Sequence, residues 1–278
     1  GNQETRNTPE RMGTDNKWVD MSAGSSSTFG LKSDGTLWAW GSDNSNSLGT
    51  FPLTGTRSTP TRVLGLSNIW KNVAAGGNHA AVIRVDGTLW TWGGNTDGQL
   101  GRGPITISDG VPRIVGSTVT NWLKAFTGVK FTVALRNDGT LWSWGNNYSG
   151  QLGLGDNTER STPVQVGSDT SWSDCSVGND HTLAIKSDGT LWAWGDNYYG
   201  QLGIGYANNV VGVFENKNIP VQVGTDSDWI RVDAGEDYSM ALKSNGTLWV
   251  WGWNGVNQLG IGYATFGQEV PFKIGTDN

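Results

Sequence analysis

The string Asp-Gly-Thr-Leu-Trp-x-Trp-Gly occurs at residues 34–41, 86–93, 138–145 and 188–195, and again at 245–252 with Asn in place of Asp. The steps between copies are 52, 52, 50 and 57 residues. A fixed period of this size means that each unit is one supersecondary piece that cannot bury its apolar surface alone, so neighbouring units must stack. Each copy is preceded by Trp18, Trp70, Trp122, Trp172 or Trp229, and is followed by Gly-Gln-Leu-Gly from Gly98, Gly150 or Gly200, or by variants from Asn46 and Asn257. Five units result, over approximately 18–69, 70–121, 122–171, 172–228 and 229–278, and we read 1–278 as a single domain. Residues 13–16 and 275–278 both read GTDN, so 1–17 is a terminal strand segment equivalent to 262–278.

Within a unit, an Asp-Gly or Asn-Gly pair between apolar residues is a strong hairpin signal. A type I′ turn centred on Asp188 and Gly189 predicts Ile185 opposite Trp192 and Leu183 opposite Trp194 on a bulky face, with Ala184 opposite Ala193 on a thin one. Bulky faces would then seat on the thin faces of the next unit. Helical spacing is absent, and Gly, Asn, Asp and Pro punctuate strand-length segments throughout. The expected architecture is all-β: a propeller of tandem four-stranded blades, with the fourth strand beginning at Pro60, Pro112, Pro163 or Pro220.

Composition narrows the function classes. With 19 basic and 25 acidic residues the chain carries a net charge of −6, and lacks the positive field that backbone-driven nucleic-acid binding needs. No apolar run is long enough for a membrane span, so we expect no membrane insertion. The lone Cys175 excludes an intrachain disulfide and reads as an inert buried thiol.

The pattern resembles the regulator of chromosome condensation (RCC) repeat. Unit four carries its motifs throughout: Gly178-Asn179-Asp180-His181-Thr182, Asp188-Gly189, Trp194-Gly195, Gly200-Gln201-Leu202-Gly203 and Pro220. The resemblance implies a β-propeller, in that family normally seven-bladed. Here the His position holds Ser27, His79, Phe131, His181 and Tyr238, and Pro-led strands number six for five hairpins, counting Pro9. We favour a closed five-bladed ring that joins the terminal strands over an arc of a larger seven-bladed type, because an arc exposes an apolar face at each end.

In similar propellers, partner contacts come from the loop at and before the His position. Carried over by position, this implicates Ser26, Asn78, Lys130, Asp180 and Asp237, with Asn179 and Glu236 as neighbours. Fifteen of the 16 Trp fall at three fixed places per unit and read as core, which disfavours a light-sensing role. Trp253 alone lies elsewhere, in what reads as a loop, as an interface anchor or a cap over the blade edge. The longer loop Tyr206 to Ile219 adds Val213 and Phe214 as binding candidates. His79 and His181 read as structural hydrogen bonders, without a carboxylate or nucleophile at motif spacing. Lys32, Arg84, Arg136, Lys186 and Lys243 read as stems covering the thin sheet face while their charges reach water.

These observations point to a non-enzymatic binding or scaffold propeller that recognises a protein partner through one face, with no cofactor and no metal. The alternatives are a structural module of an exported surface or filament assembly, self-associating through a terminal strand, and, by resemblance, a guanine-nucleotide exchange factor-like regulator. An enzyme or lectin using the central channel lacks clustered titratable groups. Abundant Ser, Thr, Asn and Gly with few Lys and Arg favour an extracellular or cell-surface location over a cytoplasmic one.

Overall fold

The computed structural model describes residues 8, 11, 13–50, 55–63, 70–104, 108–205 and 215–275. Twenty strands form five antiparallel sheets, each of four strands consecutive in sequence. Blade 1 comprises β1 Trp18–Ala23, β2 Ser27–Lys32, β3 Leu37–Gly41 and β4 Arg57–Arg62; blade 2, β5 Trp70–Ala75, β6 His79–Arg84, β7 Leu89–Gly94 and β8 Ser108–Ile114. Blade 3 comprises β9 Trp122–Thr127, β10 Phe131–Arg136, β11 Leu141–Gly145 and β12 Arg160–Gln165. Blade 4 comprises β13 Trp172–Val177, β14 His181–Lys186, β15 Leu191–Gly195 and β16 Lys217–Gln222; blade 5, β17 Trp229–Ala234, β18 Tyr238–Lys243, β19 Leu248–Asn254 and β20 Thr265–Lys273. The first strands line a common channel, so the fourth strands lie outermost. These begin three to six residues before their Pro, which therefore sits inside an edge strand rather than at its start.

The hairpin differs from the expected type I′ turn. Only the Gly has positive φ (Gly35 76°, Gly87 77°, Gly139 77°, Gly189 80°, Gly246 84°), so the turn is type I followed by a left-handed Gly, and its loop is three residues long. The reason lies in the rest of the motif. Asp188 Oδ1 accepts hydrogen bonds from the Thr190 N–H at 3.0 Å and the Thr190 hydroxyl at 2.7 Å, and the Thr190 hydroxyl accepts the Trp192 indole N–H at 2.9 Å. The same relay recurs from Asp34, Asp86, Asp138 and Asn245.

The extra loop residue moves the register by one and redistributes the faces. Ala184 now pairs with Trp192, Thr182 with Trp194, Ile185 with Leu191 and Leu183 with Ala193. The bulky-against-thin contrast is thus replaced by an aliphatic face and an indole face on every blade, the indoles lying beside small residues. Stacking between units follows as expected. Leu183, Ile185 and Leu191 of blade 4 pack on Trp229, Ala241 and Trp251 of blade 5, and three further clusters join blades 1 to 2, 2 to 3 and 3 to 4 in the same sense.

The recurring basic residues are more enclosed than expected. Lys186 Nζ lies 4.9 Å from the Trp172 ring and 3.9 Å from the Trp192 ring, and meets Asp169 at 3.0 Å; Arg136 is held likewise by Trp122 and Trp142 at 4.5 and 3.8 Å. Their charges face indole rings instead of projecting freely into water.

Both histidines clasp adjacent blades. His79 Nε2 lies 2.9 Å from Thr132 Oγ and His181 Nε2 3.0 Å from Ser239 Oγ. Each hydroxyl already donates to a carbonyl, of Gln99 and Gln201 respectively, so the imidazole Nε2–H must be the donor. Burial lowers the His79 pKa to about 4 and that of His181 to about 3, which keeps both rings neutral.

Closure is not seen. No core cluster among the described residues joins blade 5 to blade 1, and the segment around Pro9 lies outside the described residues. Met21 on the indole face of blade 1 is 65% exposed, whereas its counterparts Val73, Ala125, Cys175 and Val232 are buried. At the other end Leu248 is 38% exposed, whereas Leu37, Leu89, Leu141 and Leu191 are sealed.

Two stability predictions follow from these junctions. Trp194→Ala, at a filled junction, should cost about 3–5 kcal/mol in chemical denaturation, and Trp40→Ala, at the open end, clearly less. Each histidine binds its proton more weakly folded than unfolded, so stability is fully present above about pH 6.5 and declines as pH falls towards the folded values, by ~1.4 kcal/mol per pH unit per ring. Replacing both with Phe, the residue at position 131, should flatten unfolding free energy measured between pH 6.5 and 4.5.

Candidate functional site

The loops from the first to the second strand of each blade meet at one mouth of the channel, around a cavity of about 230 Å3. Its waist is backbone: Gly24, Gly76, Gly128, Gly178 and Gly235 line it. Space requires glycine there. A Cβ on Gly178 would collide with the His181 ring and approach the Gly235 carbonyl to 2.5 Å, and one on Gly76 would lie 2.6 Å from the Gly128 carbonyl. The loops are also tied to one another, with Gly77 N–H donating to Gly128 O at 3.2 Å and Asn179 N–H to Glu236 O at 3.0 Å.

The structure brings the loop candidates together around this mouth, with different surroundings for each. Ser26, Lys130 and Glu236 are exposed, whereas Asn78, Asn179, Asp180 and Asp237 are half-buried. Their backbones do a shared job: the carbonyls of Ser26, Asn78, Lys130, Asp180 and Asp237 accept N–H bonds of 2.8–3.0 Å from Ser42, Gly94, Asn146, Asp196 and Trp253. Main-chain bonding therefore holds each loop against the strand exit beside it and leaves the side chains to vary.

Those strand exits add acids from outside the first loops. Asp97 and Asp196 lie on the segments leading to Gly-Gln-Leu-Gly; the signal available in sequence is an acid between Trp-Gly and that motif, directly after Gly195 for Asp196 and directly before Gly98 for Asp97. Asn146 Nδ2 donates to Asp97 at 2.8 Å, Lys130 Nζ lies 3.4 Å from Asp97, and Gln151 Nε2 donates to Asp180 at 2.7 Å. Burial, then the nearby charges of Asp196 and Asp97, push the Asp180 carboxyl above the usual range against the opposing pull of Lys130 and Gln151. Burial, then Asp196, Glu236 and Asp180, push Asp237 up as well. Asp97, Asp180, Asp196, Glu236 and Asp237 thus form an acidic crescent over blades 2 to 5, in which Lys130 pairs with Asp97, so the expectation that the channel lacks clustered titratable groups is corrected: the acids come from separate loops that only the fold brings together. Its chemistry is attraction for cationic groups.

Of the other candidates, Trp253 meets the mouth through its backbone only, and the rest lie apart from it or outside the described residues. Trp253 belongs to β19, paired with Gly267, and not to a loop; it is half-buried against Tyr199, with ring centroids 5.8 Å apart, and joins a cluster with Tyr198 and Phe266 at the blade edge. Val213 and Phe214 lie outside the described residues. Cys175 is buried in the junction between blades 3 and 4, and that burial raises its thiol pKa. Among the described residues no group of three or more His, Cys, Asp or Glu side chains is arranged to hold a metal ion.

Comparison with known proteins agrees with this architecture. Residues 1–277 match the family model of the RCC1-like domain. The chain is 31% identical over 283 residues to the ultraviolet-B receptor UVR8 of Arabidopsis thaliana, covering 94% of this chain and 60% of that protein. It is 31% identical over 250 residues to the human E3 ubiquitin-protein ligase HERC2, covering 88% of this chain and 5% of that protein. Among solved structures, Prp20p of Saccharomyces cerevisiae, described with its binding to Gsp1p and histones, superposes with a TM-score of 0.80 at 25% identity, over 93% of this chain and 63% of that one. The chain therefore spans less than two thirds of the length of these relatives. On its repeats, its five four-stranded blades and a family match over nearly its whole length, the chain belongs to the RCC1-like domain family of β-propellers.

Proposed function

We propose that this propeller acts by binding and not by catalysis, and that its partner is a protein presenting lysine or arginine side chains to the acidic mouth. The observation that carries this reading is the pair Asp180 and Asp237, half-buried carboxylates held close to other acids with their pKa values raised. A cation placed among them relieves their mutual repulsion, so the rigid loops store a preference for positive charge. The groups most suited to chemistry are committed elsewhere: both imidazoles clasp blades as buried neutral rings, and the one thiol is inside a junction. Protein binding by Prp20p, which shares the fold and 25% identity, supports the class of partner.

The test is affinity capture with the wild-type chain and with the double variant Asp180→Asn and Asp237→Asn. The variant should lose the partner, and capture by the wild type should weaken as salt rises over the physiological range. Identical partners on both baits would show that this mouth is the wrong surface. Misfolding does not confound the result, because stability should move the opposite way. Raised carboxyl pKa values mean that the folded chain holds protons the unfolded chain has released, so stability falls as pH rises through those values. Neutralising both groups should raise the denaturation midpoint at pH 7 while abolishing capture.

A further inference from the structure

Outside the acidic mouth, the loops of blades 3 to 5 carry an aromatic rim. At the third position after Trp-Gly, successive blades hold Asn44, Thr96, Tyr148, Tyr198 and Gly255. Tyr148 is 86% exposed and Tyr198 62%, and Phe266, which β20 adds beside Tyr198, is 58% exposed. Packing fixes the rings of blades 4 and 5. Tyr198 meets Tyr199 edge-on with centroids 4.9 Å apart, and Tyr199 meets Phe266 at 5.1 Å and Trp253 at 5.8 Å. Gly267 permits the assembly, because a Cβ there would collide with the Tyr199 carbonyl as β20 crosses the blade 4 loop. Rings held in this way lose little freedom when a partner covers them.

These rings stand beside carboxylates. Gln201 links Tyr199 to Asp196, its Oε1 accepting the Tyr199 N–H at 2.8 Å while its Nε2 donates to Asp196 at 2.6 Å. In blade 3 Asn146 Oδ1 accepts the Tyr148 N–H at 3.1 Å, and the Gln151 amide that donates to Asn146 at 3.0 Å also donates to Asp180 at 2.7 Å. In blade 5 the Trp253 N–H donates to the Asp237 carbonyl at 2.9 Å. Aromatic rings and acids are thus interleaved over three neighbouring blades.

An ammonium and a guanidinium answer such a surface differently. Lysine offers the carboxylates a compact, strongly hydrated charge and gains little from the rings. Arginine is flat and weakly hydrated, so it stacks on a ring while its N–H edge reaches a carboxylate. We propose that the occupant of the mouth is an arginine-rich segment of a partner protein, its guanidinium groups stacked on Tyr148, Tyr198 and Phe266 with their edges turned to Asp180, Asp196 and Asp237. This rests on the acidic mouth being the binding surface, and adds which cation that surface selects.

The probes are a fluorescein-labelled peptide of alternating Gly and Arg and its Lys counterpart of equal length and charge, titrated onto the intact protein by fluorescence anisotropy. The arginine peptide should bind about tenfold more tightly than the lysine peptide. Tyr148→Ser, Tyr198→Ser and Phe266→Thr combined should remove that preference by weakening the arginine peptide alone. All three side chains face solvent, so this variant should unfold near the wild-type temperature. Tyr148→Ser alone, at the most exposed ring, should give part of the same loss. Asp180→Asn with Asp237→Asn should weaken both peptides. Equal binding of the two peptides that depends on these carboxylates, or an arginine preference that survives the triple variant, overturns the proposal and leaves the acidic mouth standing. Binding of neither peptide, or binding indifferent to the carboxylates, overturns both. Cellohexaose binding that the triple variant abolishes would make a glycan the occupant, and would equally overturn the arginine site.

Discussion

The indole seated against a glycine of the preceding blade is the contact on which this architecture depends. It combines the largest apolar side chain with a position that admits no Cβ, and adds a hydrogen bond that satisfies the one polar atom of the ring. Neither partner works alone. A larger residue at Gly153 would displace Trp194 by its Cβ, and a smaller residue at Trp194 would open a void that the Ala184 and Thr182 positions beside it could not fill. Four repetitions turn a local fit into a stack, the contact recurring between blades 1 and 2, 2 and 3, 3 and 4, and 4 and 5 among the described residues.

That stack explains why variation concentrates at the channel mouth. The loops after the first strands are fixed through their carbonyls and through glycines that allow neighbouring backbones to approach, so their side chains bear little structural duty. Ser, Asn, Lys, Asp and Asp can therefore occupy one structural position in successive blades. A rigid stack of blades of this kind holds half-buried carboxylates close together without collapse, which a flexible loop would avoid by moving them apart.

Much of this was legible in the sequence, for reasons that particular residues make clear. The recurrence of Trp and Gly at fixed spacing identifies stacked units because only packing between units uses both. The fate of His79 and His181 was also readable, since isolated imidazoles without acidic or nucleophilic neighbours serve backbone and hydroxyl partners. The turn was misread because Asp-Gly alone suggests type I′, while the Thr190 hydroxyl that holds Asp188 in a right-handed conformation belongs to the next position along. One residue of loop length then exchanged the facing pairs of every hairpin. Asp97 and Asp196 escaped notice because they reach the mouth from a different connection, close in space but far along the chain.

The amino-acid order by itself determined the unit, its four strands and the repetition, since these rest on local hydrogen bonds and on spacing, both written within some fifty residues. Tertiary structure decided how the ends behave and which acids meet. Whether blade 5 meets blade 1 is decided by how successive blades lie against one another, which no single unit contains. The acidic crescent likewise exists only because five separate loops converge on one channel, and the energy of bringing like charges together resides in distances that no single segment contains.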